Sequence, residues 1–311
     1  MKTLTAWILL LSSLNAFAWD GTGHMLVAQV ARDRMTSQTV ARVDALAALL
    51  DNNGTNYNGV SVACWADDIK GRESKSAFQG QFKPWHYIDI GCLATDPDVL
   101  SNQPSMTRTN GDVIEAIDLC VKVIKSKRSN ELVPNEAVAL ALLIHLVGDI
   151  HQPMHSTARY NPNPKPDDKF KDDAGGNGVT VTNLADTVWG KNLHTFWDEA
   201  YRRYYDKGEI RAMPELHEAT ALGSPEMAEW DKKLASYAPK NPDLAFDAKK
   251  WAMETHALAC TEVYGKLNEP YGAKNITLTE TFVTNSTEIA RHQIVLGGYR
   301  LAALLNELYG K

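Results

Sequence analysis

The sequence predicts an all-α fold, a single compact domain of many helices. Three observations predict it. Apolar residues recur at helical intervals along most of the chain, period-two alternation is scarce, and capping residues and prolines stand where helices would open and close. With 44% hydrophobic residues in 311, the chain can bury a large core.

The first residues read differently. Lys2, an apolar run from Ala6 to Leu14 and the small-x-small triplet Ala16-Phe17-Ala18 follow the order of a secretory signal peptide. The run is shorter than the about 20 residues that span a bilayer. The reading is a signal peptide over 1–18, a mature chain that begins at Trp19, and one domain over 19–311, secreted or periplasmic, without a membrane anchor.

Gly23 to Arg34 opens the helical pattern with Met25, Leu26 and Val30 on one face, and Thr36 to Leu50 continues it with Thr36 or Ser37 as cap. Asn110 to Ile124 is amphipathic. Pro134 stands where proline opens a helix, and Glu136 to Ile150 is apolar nearly all round, the mark of a buried helix that Pro153 should end. Asn192 to Tyr205, Pro225 to Tyr237, Asp247 to Leu267 and Glu280 to Leu308 complete the set. Val179-Thr180-Val181 is a candidate short strand, and Asn161 to Gly178, rich in Pro, Asp, Lys and Gly, is a long loop.

The formal net charge of −6 argues against a binder that holds nucleic acid through its own basic surface. An acidic chain can still take phosphate where metal ions supply the positive charge. Cys64, Cys92, Cys120 and Cys260 make an even count, which in an exported protein suggests two disulfides in one of three pairings. Their wide spacing is unlike a zinc–thiolate site.

The metal case rests on spacing. His145 and Asp149 lie at i and i+4 on the buried helix, one turn apart on one face. Alone, that pair reads better as a core hydrogen bond. The spacing recurs in His194 and Asp198, and His155 follows Pro153 where the chain can turn back. Two pairs and a third histidine shift the reading to metal. Nitrogen and oxygen donors without thiolate suit catalytic zinc, with manganese or iron open on donor type. Asp67, His86 and His24 are further donors. His151, between Asp149 and His155, is a candidate to support a ligand, and His217 reads as a surface residue.

Taken together, Trp19-Asp20-Gly21-Thr22-Gly23-His24, Trp65-Ala66-Asp67, His86-Tyr87-Ile88-Asp89, the run from His145 to His155, Gly175-Gly176-Asn177 and the run from Asn192 to Asp198 resemble the S-one/P-one family of single-strand-specific zinc nucleases. The resemblance implies a helical fold of the phospholipase C and nuclease P-one type with three zinc ions in a cleft. Asp67, His86, His145 and Asp149 would hold one, and His155, His194 and Asp198 a second. His24, Asp149 and the amine and carbonyl of Trp19 would hold the third. The resemblance places the chemistry at Asp67, Asp149 and Lys70, Lys70 having an ordinary surface lysine as its alternative. Tyr87 would stack on a base, Asp89 would bond its edge, and Asn177 would touch it. The implied substrates are single-stranded DNA and RNA and 3′-nucleotides, with 5′-phosphorylated products, for a monomer without a stable protein partner. A zinc phospholipase C and a non-enzymatic zinc-binding envelope protein are the competing readings.

Overall fold

A computed structural model describes residues 19–52, 54–70, 78, 80–92, 111–161, 172–185, 191–218 and 220–310. The signal-peptide reading and most of the expected long loop lie outside them.

The chain opens with α1 (Gly21–Arg32) and α2 (Ser37–Ala47). Asp20 caps α1 by accepting from the Gly23 N–H, and Thr36 caps α2 through Thr39 N–H, as expected of it. A two-residue hairpin, β1 (Asp51–Asn52) with β2 (Thr55–Asn56), leads to a 3₁₀ turn, Ser61–Cys64, and the short α3 (Trp65–Asp68). A further 3₁₀ turn, Lys83–His86, precedes α4 (Val113–Ser126).

α5 (Glu136–Asp149) is the axis of the molecule, and all its residues from Ala137 to Asp149 are buried. Pro134 does not open it. Asn135 does, accepting from Val138 N–H at 2.9 Å. An apolar residue all round means that neighbours must cover every side, and α1, α2, α4, α10 and the turn Ser61–Cys64 do so. Burying each of Leu140, Leu142, Leu143 and Leu146 contributes about 1.5–3 kcal/mol before conformational entropy is charged. This helix is therefore a rigid base for the polar groups at its C-terminal end.

Past it, Pro153–His155 makes a 3₁₀ turn, so Pro153 begins a new turn after the helix has ended at Asp149. α6 (Leu193–Asp198) is shorter than the predicted Asn192 to Tyr205. A 3₁₀ turn, Ala200–Arg202, continues it into an antiparallel hairpin, β3 (Arg203–Asp206) and β4 (Glu209–Ala212), in the register Arg203↔Ala212 to Asp206↔Glu209. Lys207 and Gly208, with φ of 49° and 87°, make its left-handed turn. Val179–Val181 forms only isolated bridges, Thr180 to Asn192 and Val181 to Ile276.

α7 (Pro225–Leu234) follows its Ser224 cap. The predicted Asp247 to Leu267 helix comes as three pieces, α8 (Ala248–Leu258), a π-helical segment Ala259–Tyr264 and α9 (Gly265–Leu267). α10 (Glu280–Tyr309) packs lengthwise on α1, and a Cβ at Gly298 would overlap Val30. No described helix is long and apolar enough to cross a membrane.

The expectation of two disulfides is corrected. Cys92 bonds Cys260, on the π-helical segment, across a sequence separation of 168. Cys64 and Cys120 are free and buried. The Cys64 thiol donates to the Gly21 carbonyl at 3.4 Å, and Cys120 lies in the apolar face of α4.

Candidate metal centre and nucleic-acid site

The C-terminal end of α5 brings His145 and Asp149 under α1, α3 and the turn Lys83–His86. Three groups result that could hold a metal ion: His24, His145 and Asp149; Asp67, His86 and His145; and His155, His194 and Asp198. Eight of the nine expected ligands are thus assembled by side chains, and the ninth, Trp19, is fully buried beside them. A Cβ on Gly148 would press on His24 and come within 3.8 Å of the Trp19 ring, so glycine at 148 lets the amino-terminal segment approach α5.

Asp149 joins the first two groups. Its Oδ2 lies 3.0 Å from His86 Nδ1 and 3.3 Å from His145 Nε2, and its Oδ1 lies 3.5 Å from His24 Nε2. Neither oxygen has a well-formed hydrogen bond, and both nitrogens of His24 and Nε2 of His86 are likewise buried without one. Buried groups left so are costly unless something positive sits among them.

Backbone carbonyls orient three of the rings. His145 Nδ1 meets Ala63 O at 2.6 Å, His155 Nδ1 meets His86 O at 2.7 Å, and His194 Nδ1 meets Gly175 O at 2.7 Å. A carbonyl only accepts, so Nδ1 carries the proton and Nε2 of the neutral ring becomes the electron-pair donor. In the third group, His155 Nε2 and His194 Nε2 are 3.2 Å apart, and Asp198 Oδ1 is 4.0 and 3.8 Å from them. Donors around a tetrahedral ion with bonds of about 2.0–2.1 Å stand about 3.3 Å apart. The residues therefore fit a small cation in chemistry and in spacing.

Burial drives the titration of these groups. It pushes the His24 and His86 imidazoles well below their ordinary value, keeping them neutral. It raises Asp149 to about 6 and Asp198 well above the usual carboxylate range, opposed by the Gln152 hydrogen bond at Asp198. At His145 burial is opposed and overcome by the Asp149 and Asp67 carboxylates, which raise it.

A cavity of about 340 Å³ opens against the cluster, with Asp67 and Asp198 on its floor and Asp20, Asp68, Glu215 and Glu218 around it. Without cations, such a wall would repel a phosphate. Lys70 is buried, not a surface lysine, and its Nζ lies 2.6 Å from Asp67 Oδ1.

The expected base-contacting residues ride on backbone that supports the ligands. Tyr87 and Asp89, both half-buried, follow His86 on a segment tied to the chain after His155 by Ile88 N–H to His155 O at 2.8 Å and by Cys92 N–H to Ala158 O at 3.0 Å. Asn177, also half-buried, donates to Ala174 O at 2.9 Å from the loop whose Gly175 carbonyl orients His194.

The profile of the S1/P1 Nuclease family matches residues 19–310. The chain belongs to the S1/P1 nuclease family. It is 28% identical to "Endonuclease 4" of Arabidopsis thaliana, covering 99% of this chain and 96% of the relative. It is 27% identical to "Nuclease P1" of Penicillium citrinum, covering 94% and 98%. "Nuclease S1" of Aspergillus oryzae is also 27% identical, covering 97% and 96%. This S1/P1 nuclease is thus a hydrolase of phosphodiester bonds, which sets aside the non-enzymatic reading.

One expectation about its histidines changes. His151 is buried but turns from the cluster, its Nδ1 on Val147 O at 2.7 Å and its Nε2 on Arg300 Nη1 at 3.0 Å. Gln152 takes the supporting role instead, its Nε2 donating to Asp198 Oδ1 at 2.7 Å. His217 is exposed, as expected. Sequence reasoning also missed Asp20, Tyr201 and Arg202, whose only signal is nearness in sequence to Trp19 and Asp198.

Proposed function

We propose that the mature enzyme begins at Trp19 as one domain over 19–311, binds three zinc ions, and hydrolyses single-stranded DNA and RNA and 3′-nucleotides to products with 5′-phosphate. The observation that carries the reading is the placing of Asp149 between His24 on one oxygen and His86 and His145 on the other, with a third electron-rich group beside them under an acidic cavity. The family match that begins at residue 19 supports the choice of mature terminus.

Asp67, His86, His145 and Asp149 hold one ion, His155, His194 and Asp198 a second, and His24, Asp149 and the amine and carbonyl of Trp19 the third. Bound zinc supplies an activated water and neutralises charge on the leaving 3′-oxygen. Asp149 sets the two groups it shares side by side by turning one oxygen toward each. Lys70 donates from Asp67 toward the scissile phosphate. Tyr87 stacks on a base, Asp89 accepts from its edge, and Asn177 closes the far side. A base must leave its stack to be read this way, which favours single strands. The expected state is a monomer exported from the cytoplasm.

The test is a substrate panel on protein that starts at Trp19: single-stranded DNA, RNA, duplex DNA, a 3′-nucleotide and phosphatidylcholine, each with and without chelator. Zinc-dependent cleavage of the single strands over the duplex is expected. Cleavage of the lipid alone, or chelator-resistant cleavage, would overturn the reading.

A further inference from the structure

The amino-terminal segment is held by more contacts than a helix start needs. Asp20 Oδ1 accepts from Gly23 N–H at 2.9 Å and from the Tyr201 hydroxyl at 2.5 Å, while Oδ2 pairs with Arg202 Nε at 3.0 Å. Asp20 N–H donates to the Asp198 carbonyl at 3.1 Å, tying this backbone to that of a candidate ligand. The Tyr201 ring stands edge-on to Trp19 at 6.0 Å. A Cβ on Gly23 would sit 2.7 Å from Trp19 Cβ and 3.2 Å from the Tyr201 ring, so Trp19 is wedged between α1 and Tyr201.

Arg202 cannot swing away to release Asp20. Its Nη2 pairs with Glu199 Oε2 at 2.9 Å and Glu215 Oε1 at 2.7 Å, and Nη1 donates to Met213 O at 2.6 Å. Tyr201 and Arg202 lie on the 3₁₀ turn that continues α6, the helix that carries His194 and Asp198. One continuous stretch of chain thus carries two candidate ligands of one metal group and grips the segment that leads into α1 and His24 of another.

We infer that Asp20, Tyr201 and Arg202 clamp the amino-terminal residue in place, and so are positioning residues for the metal site that Trp19 completes. The inference rests on the reading of Trp19 as the mature terminus and a ligand. Chain ends fray unless tied down. A ligand at the very end of a chain must be held close before its amine can compete with water. The carboxylate of Asp20 does this from the next residue. It converts a loose end into a docked one before any ion arrives.

The clamp is tested in zinc-free protein as well as loaded protein. The α-amine of the chain starting at Trp19 is labelled with an acylating reagent at neutral pH and its rate read by mass spectrometry. Zinc per chain is then measured after reloading. Asp20→Ala and Tyr201→Phe should label about tenfold faster, the factor expected from losing a charge-assisted hydrogen bond, and should hold two zincs where the parent holds three. Folded variants with parental labelling and three zincs would overturn the clamp. If Tyr201→Phe does not fold, Asp20→Asn, which keeps the capping oxygen and loses the ion pair, is judged by the same two readouts. A chain with one extra residue ahead of Trp19 separates the two ideas. Unchanged zinc content there refutes Trp19 as a ligand, while the labelling rates in zinc-free protein still decide the clamp.

Discussion

His155 and His194 face each other through their Nε2 atoms at 3.2 Å, each ring having spent its Nδ1–H on a carbonyl. Two electron pairs at that distance repel unless a proton or a cation lies between them. The main chain has thus fixed both tautomers in the form that ligates, one from the segment before α4 and one from the loop before α6. The neighbouring Asp198 oxygen makes a cation the better guest, because it adds a negative charge that a shared proton would only partly offset.

Gly175→Ala should therefore disable this group without touching a ligand. Gly175 has φ of +60°, and a Cβ there would lie 2.7 Å from the Met154 carbonyl. The loop must shift, and its carbonyl is the partner of His194. The left-handed backbone and the overlap together cost at least about 2 kcal/mol. Elemental analysis should show one zinc lost per chain and calorimetry a lower Tm. A variant with the parental zinc content would show that the carbonyl does not control the ring.

Gln152→Ala should weaken the same group more gently. Gln152 donates to Asp198 Oδ1 at 2.7 Å, and its own Oε1 accepts from Met154 N–H at 2.5 Å. Losing such an orienting partner typically costs about 10–100-fold in metal affinity. Competition with a chelator of known affinity measures this directly. Gln152→Glu should not rescue it, because a carboxylate would repel Asp198 where the amide donates.

The helices were legible where one face had a single destination. α5 reads from its apolar run because it is buried on all sides, and α1 and α2 from their period and caps. The hairpin β3–β4 was not, since Trp197, Tyr201, Tyr204 and Tyr205 keep a helix-compatible spacing past the end of α6. The usable sign was Lys207-Gly208, a left-handed turn pair between two polar–apolar segments. Of the site, the i, i+4 pairs were readable because helix geometry alone makes them neighbours. Gln152 and Arg202 were not, because their partners lie on other elements and nothing in local spacing marks them. Cysteine pairing depends on which segments the fold places together, and here that meant the segment after Asp89 and a π-helical turn far along the chain.

The thiols give a third prediction. Burial raises the Cys64 thiol well above its ordinary value, helped by the nearby Glu218 carboxylate, and raises Cys120 by burial alone. A thiol that stays protonated and enclosed reacts slowly. A thiol-specific reagent should find none in the native protein and two after unfolding in denaturant without reductant. Four after such unfolding would contradict the Cys92–Cys260 bond, and none would restore a second disulfide. Breaking the bond by Cys92→Ser with Cys260→Ser should cost up to about 5 kcal/mol, as expected for closing a loop this long.

Asp231 supplies a dependence on pH well away from the metal groups. It lies on α7, partly buried, with Oδ1 lacking a hydrogen bond. Burial raises its pKa to about 6, the nearby Asp33 charge adds to this, and Arg34 opposes it. The folded state thus binds a proton that the unfolded chain has already released. Its penalty is absent below about pH 4, where both states are protonated, grows between about pH 4 and 6, and is complete above that. Asp231→Asn removes the charge and keeps the shape. It should leave Tm unchanged at pH 4 and raise it by about 1–2 °C at pH 8, after allowing for screening at a partly exposed site. The difference between the two proteins should titrate with a midpoint between the ordinary aspartate value and 6. A variant that is stabilised equally at both pH values would owe its gain to something other than the buried charge, and one destabilised at pH 8 would show that Asp231 has a cationic partner strong enough to outweigh burial.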